Sequence, residues 1–210
     1  MTRRHFLRRA FAGALPLLIV SCASIAPPRE HATTPPGAAA TRTFHDTVEL
    51  GGRLSVRYQS SQKEEAVHGS FVWAQTPTRT TVTLLSPLGQ TMAVIDVNPE
   101  VATLRQAGKM ERTAADVDAL TAEALGWPLP VAGLREWLQG FAVDRTGRRF
   151  IATPAVDEVV THDGWRIRYV NWQDAPLVAQ YRPKRIDLAR FTEQAGDVSI
   201  RIIIDTWQAR

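Results

Sequence analysis

The chain carries one thiol, Cys22, which follows Ile19-Val20-Ser21 at the end of an apolar run from Ala10 to Val20 headed by Arg3, Arg4, Arg8 and Arg9. A lone cysteine cannot close a disulfide within the chain or build a thiolate metal site, so the chemistry open to it is modification of its sulfur. The other residues able to do chemistry are not spaced for it. The histidines His5, His31, His45, His68 and His162 are scattered without metal-ligand spacing. Glu64-Glu65 lies near His68, but adjacent strand residues point to opposite faces, so the group reads as a solvated loop. The sequence contains no Gly-x-Ser-x-Gly elbow, no His-Glu-x-x-His pair and no glycine-rich phosphate loop ending in Lys-Ser or Lys-Thr. Neither an enzyme activity nor a cofactor nor a metal is expected.

A basic head, an apolar segment and small residues before a cut site make residues 1–21 a secretory signal peptide. The segment is shorter than the about 20 apolar residues that span a bilayer. Its end, Ile19-Val20-Ser21-Cys22, resembles the lipobox of bacterial lipoproteins. That resemblance implies that the Cys22 thiol takes a diacylglycerol and that, after cleavage, the new amino terminus is acylated too. Thr2-Arg3-Arg4-His5-Phe6-Leu7-Arg8 also resembles a twin-arginine export address, while an ordinary basic head for general secretion is the alternative; both routes leave the cytoplasm.

Loss of the leader changes the charge balance. The whole chain has 25 Lys and Arg against 21 Asp and Glu, and the leader holds four of the basic residues and no acidic one. The remainder is formally neutral, with no general excess of positive charge for neutralising phosphates, so no nucleic-acid partner is expected. Residues 23–43, rich in Pro, Ala and Thr, cannot bury enough surface to offset their ordering entropy. Residues 22–43 are therefore expected to be a lipidated end and flexible tether, spanning on the order of 25 Å. Residues 44–210 are left as one compact domain of ordinary size.

That domain reads mainly as strands. Val48, Leu50, Leu54, Val56 and Tyr58 alternate with polar or glycine positions, interrupted at Gly52; Val67, Phe71 and Trp73 repeat the period. So do Trp165, Ile167 and Tyr169, then Ile186 and Leu188, then Ile200, Ile202 and Ile204. Five or more such strands predict a strongly curved antiparallel sheet. Helical period occurs at Asp116–Leu125, which stops at Gly126, and at Val131–Gly140, with Trp127-Pro128-Leu129-Pro130 forcing an extended break between them. The two helices are expected to pack across one mouth of the sheet. Composition does not say whether the interior is a filled core or a container.

Six segments, in order, carry a family resemblance: Glu49–Arg57 (ELGGRLSVR), Gly69–Trp73 (GSFVW), Leu84–Thr91 (LLSPLGQT), Leu125–Pro130 (LGWPLP), Leu134–Gly140 (LREWLQG) and Ile204–Trp207 (IDTW). Together they resemble the LolB family of outer-membrane lipoprotein receptors over essentially the whole chain after the leader. The resemblance implies an α+β fold, mainly β: an unclosed antiparallel β-barrel with a helical lid over an apolar cavity. It also implies a lipid-anchored protein of the outer membrane, facing the periplasm, that is not an enzyme. Such a protein accepts lipoprotein acyl chains from a LolA-like periplasmic carrier and inserts them among outer-membrane lipids, working as a monomer. Trp73, Leu84, Leu134, Trp137 and Leu138 are the candidate cavity and lid residues.

Ser86-Pro87-Leu88-Gly89 has the residue preferences of a type I turn, with serine first, proline second and glycine fourth, which puts Leu88 near a hairpin tip. From the turn alone, Leu88 either folds back onto the domain or projects. The resemblance implies that it projects and helps to pass lipoprotein into the membrane. Two other readings stay open: an envelope-assembly lipoprotein with a filled barrel that binds protein, and a lipid-modifying enzyme with an unrecognised site.

Overall fold

The computed structural model describes residues 42–61, 63–174 and 181–209. Cys22, the leader and nearly all of the expected tether lie outside the described residues. Those described form strands β1 (Val48–Ser60), β2 (Lys63–Gln75), β3 (Thr80–Leu85), β4 (Thr91–Val97), β5 (Ala102–Gln106) and β6 (Arg112–Ala114). Helices α1 (Val117–Leu125) and α2 (Val131–Trp137) follow, then β7 (Phe141–Val143), β8 (Arg149–Ile151), β9 (Glu158–Val160), β10 (Arg166–Asp174), β11 (Tyr181–Thr192) and β12 (Gly196–Ala209).

Ten strands make one antiparallel sheet in the order β6-β5-β4-β3-β2-β1-β12-β11-β10-β9, while β7 and β8 pair separately. Every neighbour in the large sheet is also a neighbour in sequence except β1 and β12, whose ladder runs from Val48↔Ala209 to Arg57↔Ser199 and joins the two halves of the chain. The outermost strands β6 and β9 do not pair with each other, so the sheet is unclosed, as expected. Alternation alone marks β1, β2 and β10 to β12 but not β3 to β9. The inward positions of β3 and β5 include Thr80 and Ala102, too small or too polar to stand out in a hydropathy pattern, and β6 to β9 have three residues each.

One irregularity in the central ladder decides which side chains face inward. Between Gly51↔Thr206 and Gly52↔Ile204, β12 carries one extra residue, Asp205. This bulge reverses the facing of the last residues of β12, so Trp207 lies opposite buried Leu50 and packs against the core, while Asp205 is exposed. A side chain at Gly52 would put its Cβ 1.9 Å from the Ile203 carbonyl oxygen, so the break in the alternation at Gly52 is a requirement of the bulge.

Both helices cover the concave face. Asp116 caps α1 by accepting from the amides of Asp118 (2.8 Å) and Ala119 (3.1 Å), and Gly126 closes it at φ +82° with its N–H on the Ala122 carbonyl. α2 is shorter than its periodicity suggests: it ends at Trp137, with residues 138–140 in a turn. Arg42 donates to the Tyr181 carbonyl (2.6 Å) and, more weakly, to those of Gln139 and Gly140 (3.4 and 3.3 Å), and lies over the Trp172 ring.

Candidate functional site

The Ser86–Gly89 turn forms as its sequence predicts. The Gly89 amide donates to the Ser86 carbonyl (2.8 Å), the Ser86 amide to the Gln90 carbonyl (2.8 Å) and the Gln90 amide to the Ser86 hydroxyl (3.2 Å). Gly89 sits at φ +79°, where a side chain would be strained. These bonds fix the tip, and Leu88 stands on it 87 % exposed. Of the two placements that the turn alone left open, the structure has the projecting one.

The other candidate residues are all buried: Trp73, Leu84, Leu134, Trp137 and Leu138 are between 1 % and 5 % exposed. Four of them, with Leu54, Phe71, Val82, Leu129 and Ile202, enclose a small apolar space between the sheet and the helices. Trp137 does not line it. Its ring instead lies 6.4 Å, centroid to centroid, from that of buried Trp165, which holds the end of α2 against β10. The enclosed volume is about 20 Å³, far below the roughly 300–1,000 Å³ of a ligand pocket. At that volume the space is a packing gap within the core, too small in this structure to hold an acyl chain.

A helix satisfies its backbone hydrogen bonds within itself, so lifting one exposes no sheet ladder. Side chains clip the two helices to each other and to the rim, and sequence reasoning gave these residues no role. The buried Thr121 hydroxyl accepts from the Leu129 amide (3.2 Å) and lies 3.0 Å from the Leu129 carbonyl, holding the link between the helices to α1. The residue before α2 is Pro130, which supplies no side-chain cap. Asp118 of α1 fills that role from outside by accepting the Ala132 amide (3.1 Å). On the rim, Arg135 donates to the Thr80 hydroxyl (3.1 Å) and the Thr76 carbonyl (2.7 Å) in the loop between β2 and β3. Gln139 and His45 exchange a reciprocal pair of bonds (2.9 and 3.0 Å), and Gln75 joins them by donating to the His45 carbonyl (3.3 Å) and accepting from the Trp73 indole (3.2 Å). Arg135 and Gln139 fall within the motif Leu134–Gly140, the only sequence signal that could have drawn attention to them.

Asp118 makes the cover sensitive to pH. Burial, aided by the carboxylates of Asp116 and Asp163 and opposed by the Ala132 amide, pushes its pKa up to about 6. The folded state therefore keeps a proton that the unfolded chain releases near pH 4, so this carboxyl's contribution to stability falls as pH rises from about 4 to about 6. Asp118→Asn keeps the acceptor for Ala132 and removes the charge. It should raise stability by about 1–2 kcal/mol at pH 7, allowing for the partial solvation of the group, and change little at pH 4. Denaturant melts of variant and parent at the two pH values check this, and an equal difference at both would contradict it.

The sequence model of the family described as "Outer membrane lipoprotein LolB" matches residues 46–207. The chain is 39 % identical to the outer-membrane lipoprotein LolB of Cupriavidus pinatubonensis, with 100 % of this chain and 98 % of that protein covered. It is 40 % identical to that of Cupriavidus necator, with 98 % of each covered, and 34 % identical to that of Thiobacillus denitrificans, with 96 % of this chain and 98 % of that protein covered.

Proposed function

The chain belongs to the LolB family of outer-membrane lipoproteins, and from that premise we propose that it receives the acyl chains of lipoproteins from a LolA-like periplasmic carrier and releases them into the outer membrane. The observation that carries this reading is Leu88, a large apolar side chain 87 % exposed on a hydrogen-bonded hairpin tip, while the other apolar residues of the candidate site are buried. Single exposed apolar side chains are ordinary, Met110 being 89 % exposed here; what supports a role for Leu88 is its place on a bonded tip within the segment Leu84–Thr91 that resembles the family, where dipping into lipid would bury it. We read Cys22 as the acylated anchor, residues 22–43 as the tether, and residues 44–210 as the lipid-binding domain, a monomer facing the periplasm.

The small space beneath α2 is where the acyl chains enter, with Trp73, Leu84, Leu134 and Leu138 against them and Trp137 packed on Trp165 beside it. No step needs a covalent change. Cargo moves toward whichever site binds it better. Each further methylene buried is worth about 0.8 kcal/mol, so covering slightly more of each chain than the carrier does is enough for handover, and the bilayer must then cover more again.

The envelope-assembly reading requires a permanently filled interior, which makes Leu134 the discriminating residue. Leu134→Trp fills the enclosed space and overpacks it, at a stability cost of about 1–3 kcal/mol. Uptake of a fluorescent fatty-acid analogue per folded molecule should fall several-fold. If the unfolding midpoint drops while uptake per folded molecule is unchanged, these residues are ordinary core and the acyl-chain reading fails.

A further inference from the structure

The ladder between β2 and β3 ends at Ser70↔Leu85, after which β3 turns away into the Leu88 hairpin. A groove of about 430 Å³ opens on the outer face at this point, and Ser86, Pro87 and Gly89 of the hairpin form one wall. Gly69, Pro87 and Ile203 give it apolar surface, and Arg53, Arg201 and His68 supply polar groups. The register explains why these groups converge. Arg53 lies opposite Ser70 and Ile203, and Ser55, two residues on, lies opposite His68 and Arg201. Arg53 and Arg201 are therefore diagonal neighbours on adjacent strands, about 8 Å apart at the backbone, within reach of one tetrahedral anion.

Arg53 is paired one to one, and Arg201 shares its carboxylate. Arg53 holds Asp205 through two bonds (3.0 and 3.1 Å), and Arg201 reaches Asp187 through Nε alone (3.2 Å), sharing that carboxylate with Arg185. The His68 Nδ1 lies 3.0 Å from the Ser55 hydroxyl. Across this face the arginines Arg53, Arg57, Arg166, Arg168, Arg185 and Arg201 share the surface with the carboxylates Glu49, Glu64, Glu158, Asp187, Asp197 and Asp205. The groove differs from the rest of the face in that Arg53 and Arg201 line it and no carboxylate does.

We propose that this groove seats the phosphodiester of an anionic phospholipid headgroup, with Arg53 and Arg201 on the phosphate, while Leu88 beside it enters the acyl layer. A wall shared between a lipid-seeking tip and a largely apolar groove edged by two arginines matches the order of chemistry in a bilayer, with phosphate immediately outside hydrocarbon. The inference rests on the reading of Leu88 given above.

The chain from residue 22 with Cys22→Ala, which has no acyl anchor, tests it by co-flotation with vesicles of phosphatidylcholine alone or with phosphatidylglycerol added. The parent should bind the anionic vesicles about tenfold more strongly, and the gain should vanish at about 1 M salt. Arg53→Gln with Arg201→Gln should abolish the gain, whereas Arg57→Gln with Arg168→Gln, on the same face but outside the groove, should cost less than threefold. Both arginines make exposed ion pairs, so the variant should melt like the parent. If it does not, Asp205→Asn, which releases Arg53, decides instead by strengthening anionic binding. Undiminished anionic binding by the folded Arg53/Arg201 variant, or an equal loss from the Arg57/Arg168 variant, overturns the groove. Leu88→Glu separates the two readings: it should weaken binding to neutral vesicles while leaving the salt-dependent gain, and no change on neutral vesicles sinks the Leu88 reading instead.

Discussion

Leu88→Glu should leave the domain folded and able to take acylated cargo, yet reduce delivery of that cargo into liposomes by an order of magnitude or more. At 87 % exposure Leu88 makes almost no contact whose loss could destabilise the fold. The bonds that hold the turn are made by Ser86, Gly89 and Gln90 and do not involve its side chain. A surface change of this kind usually alters stability by less than about half a kcal/mol. Had the side chain been in the core, burying a carboxylate would have cost several kcal/mol, so the thermal melt tests exposure separately from function. The expected loss lies at release. A glutamate on the tip must enter hydrocarbon charged, or first take up a proton, and either raises the barrier to the contact that Leu88 makes freely. The measurement is transfer of a labelled lipoprotein from carrier to domain and then from domain to vesicle. A variant that melts like the parent and delivers at the parental rate would remove Leu88 from the mechanism.

Cys22→Ala should have the larger effect on location. With its thiol gone there is no sulfur to carry a diacylglycerol, and the product should be either uncleaved or released in soluble form. The argument is one of chain number. One myristoyl-length chain gives only marginal, reversible binding, whereas two or more hold a protein firmly, so losing the diacylglycerol removes nearly all of the anchoring free energy. Leu88 cannot replace it, since one leucine side chain is worth about 1.5–3 kcal/mol when fully buried. Fractionation of cells making the variant checks this. A cleaved product still firmly membrane-bound would refute the lipobox reading, while leaving the lipid-binding domain as described.

These two residues differ in how they can be read. Cys22 is legible because export signals are recognised as linear sequence, and its position after Ile19-Val20-Ser21 is the whole of the signal. The turn at Leu88 is nearly as legible, since proline and glycine restrict their own backbones whatever surrounds them, but its exposure is not. In sequence, Leu88 is one leucine among many; only the end of the β2–β3 ladder at Ser70↔Leu85 shows that nothing stands beside the tip to cover it.

The sequence by itself determined the elements whose signals are local. Alternation in β1, β2 and β10 to β12 is local, and so are the helical period from Asp116, the Gly126 stop and the Pro128–Pro130 break between the helices. Tertiary structure decided what depends on register and on partners distant in sequence. The extra residue at Asp205 turns Trp207 inward, a change of facing that period-two reasoning cannot see, because a one-residue shift exchanges the two faces of a strand. Asp118 looks like a first-turn helix carboxylate and becomes the cap of the next helix only when α2 is folded against it, 14 residues away. The order of strands across the β1–β12 seam sets Arg53 near Arg201, about 150 positions apart in sequence, on one face. Local propensity is a property of a few neighbouring residues, and a site assembled from both ends of the chain exists only once the long-range ladder has fixed which residue stands opposite which.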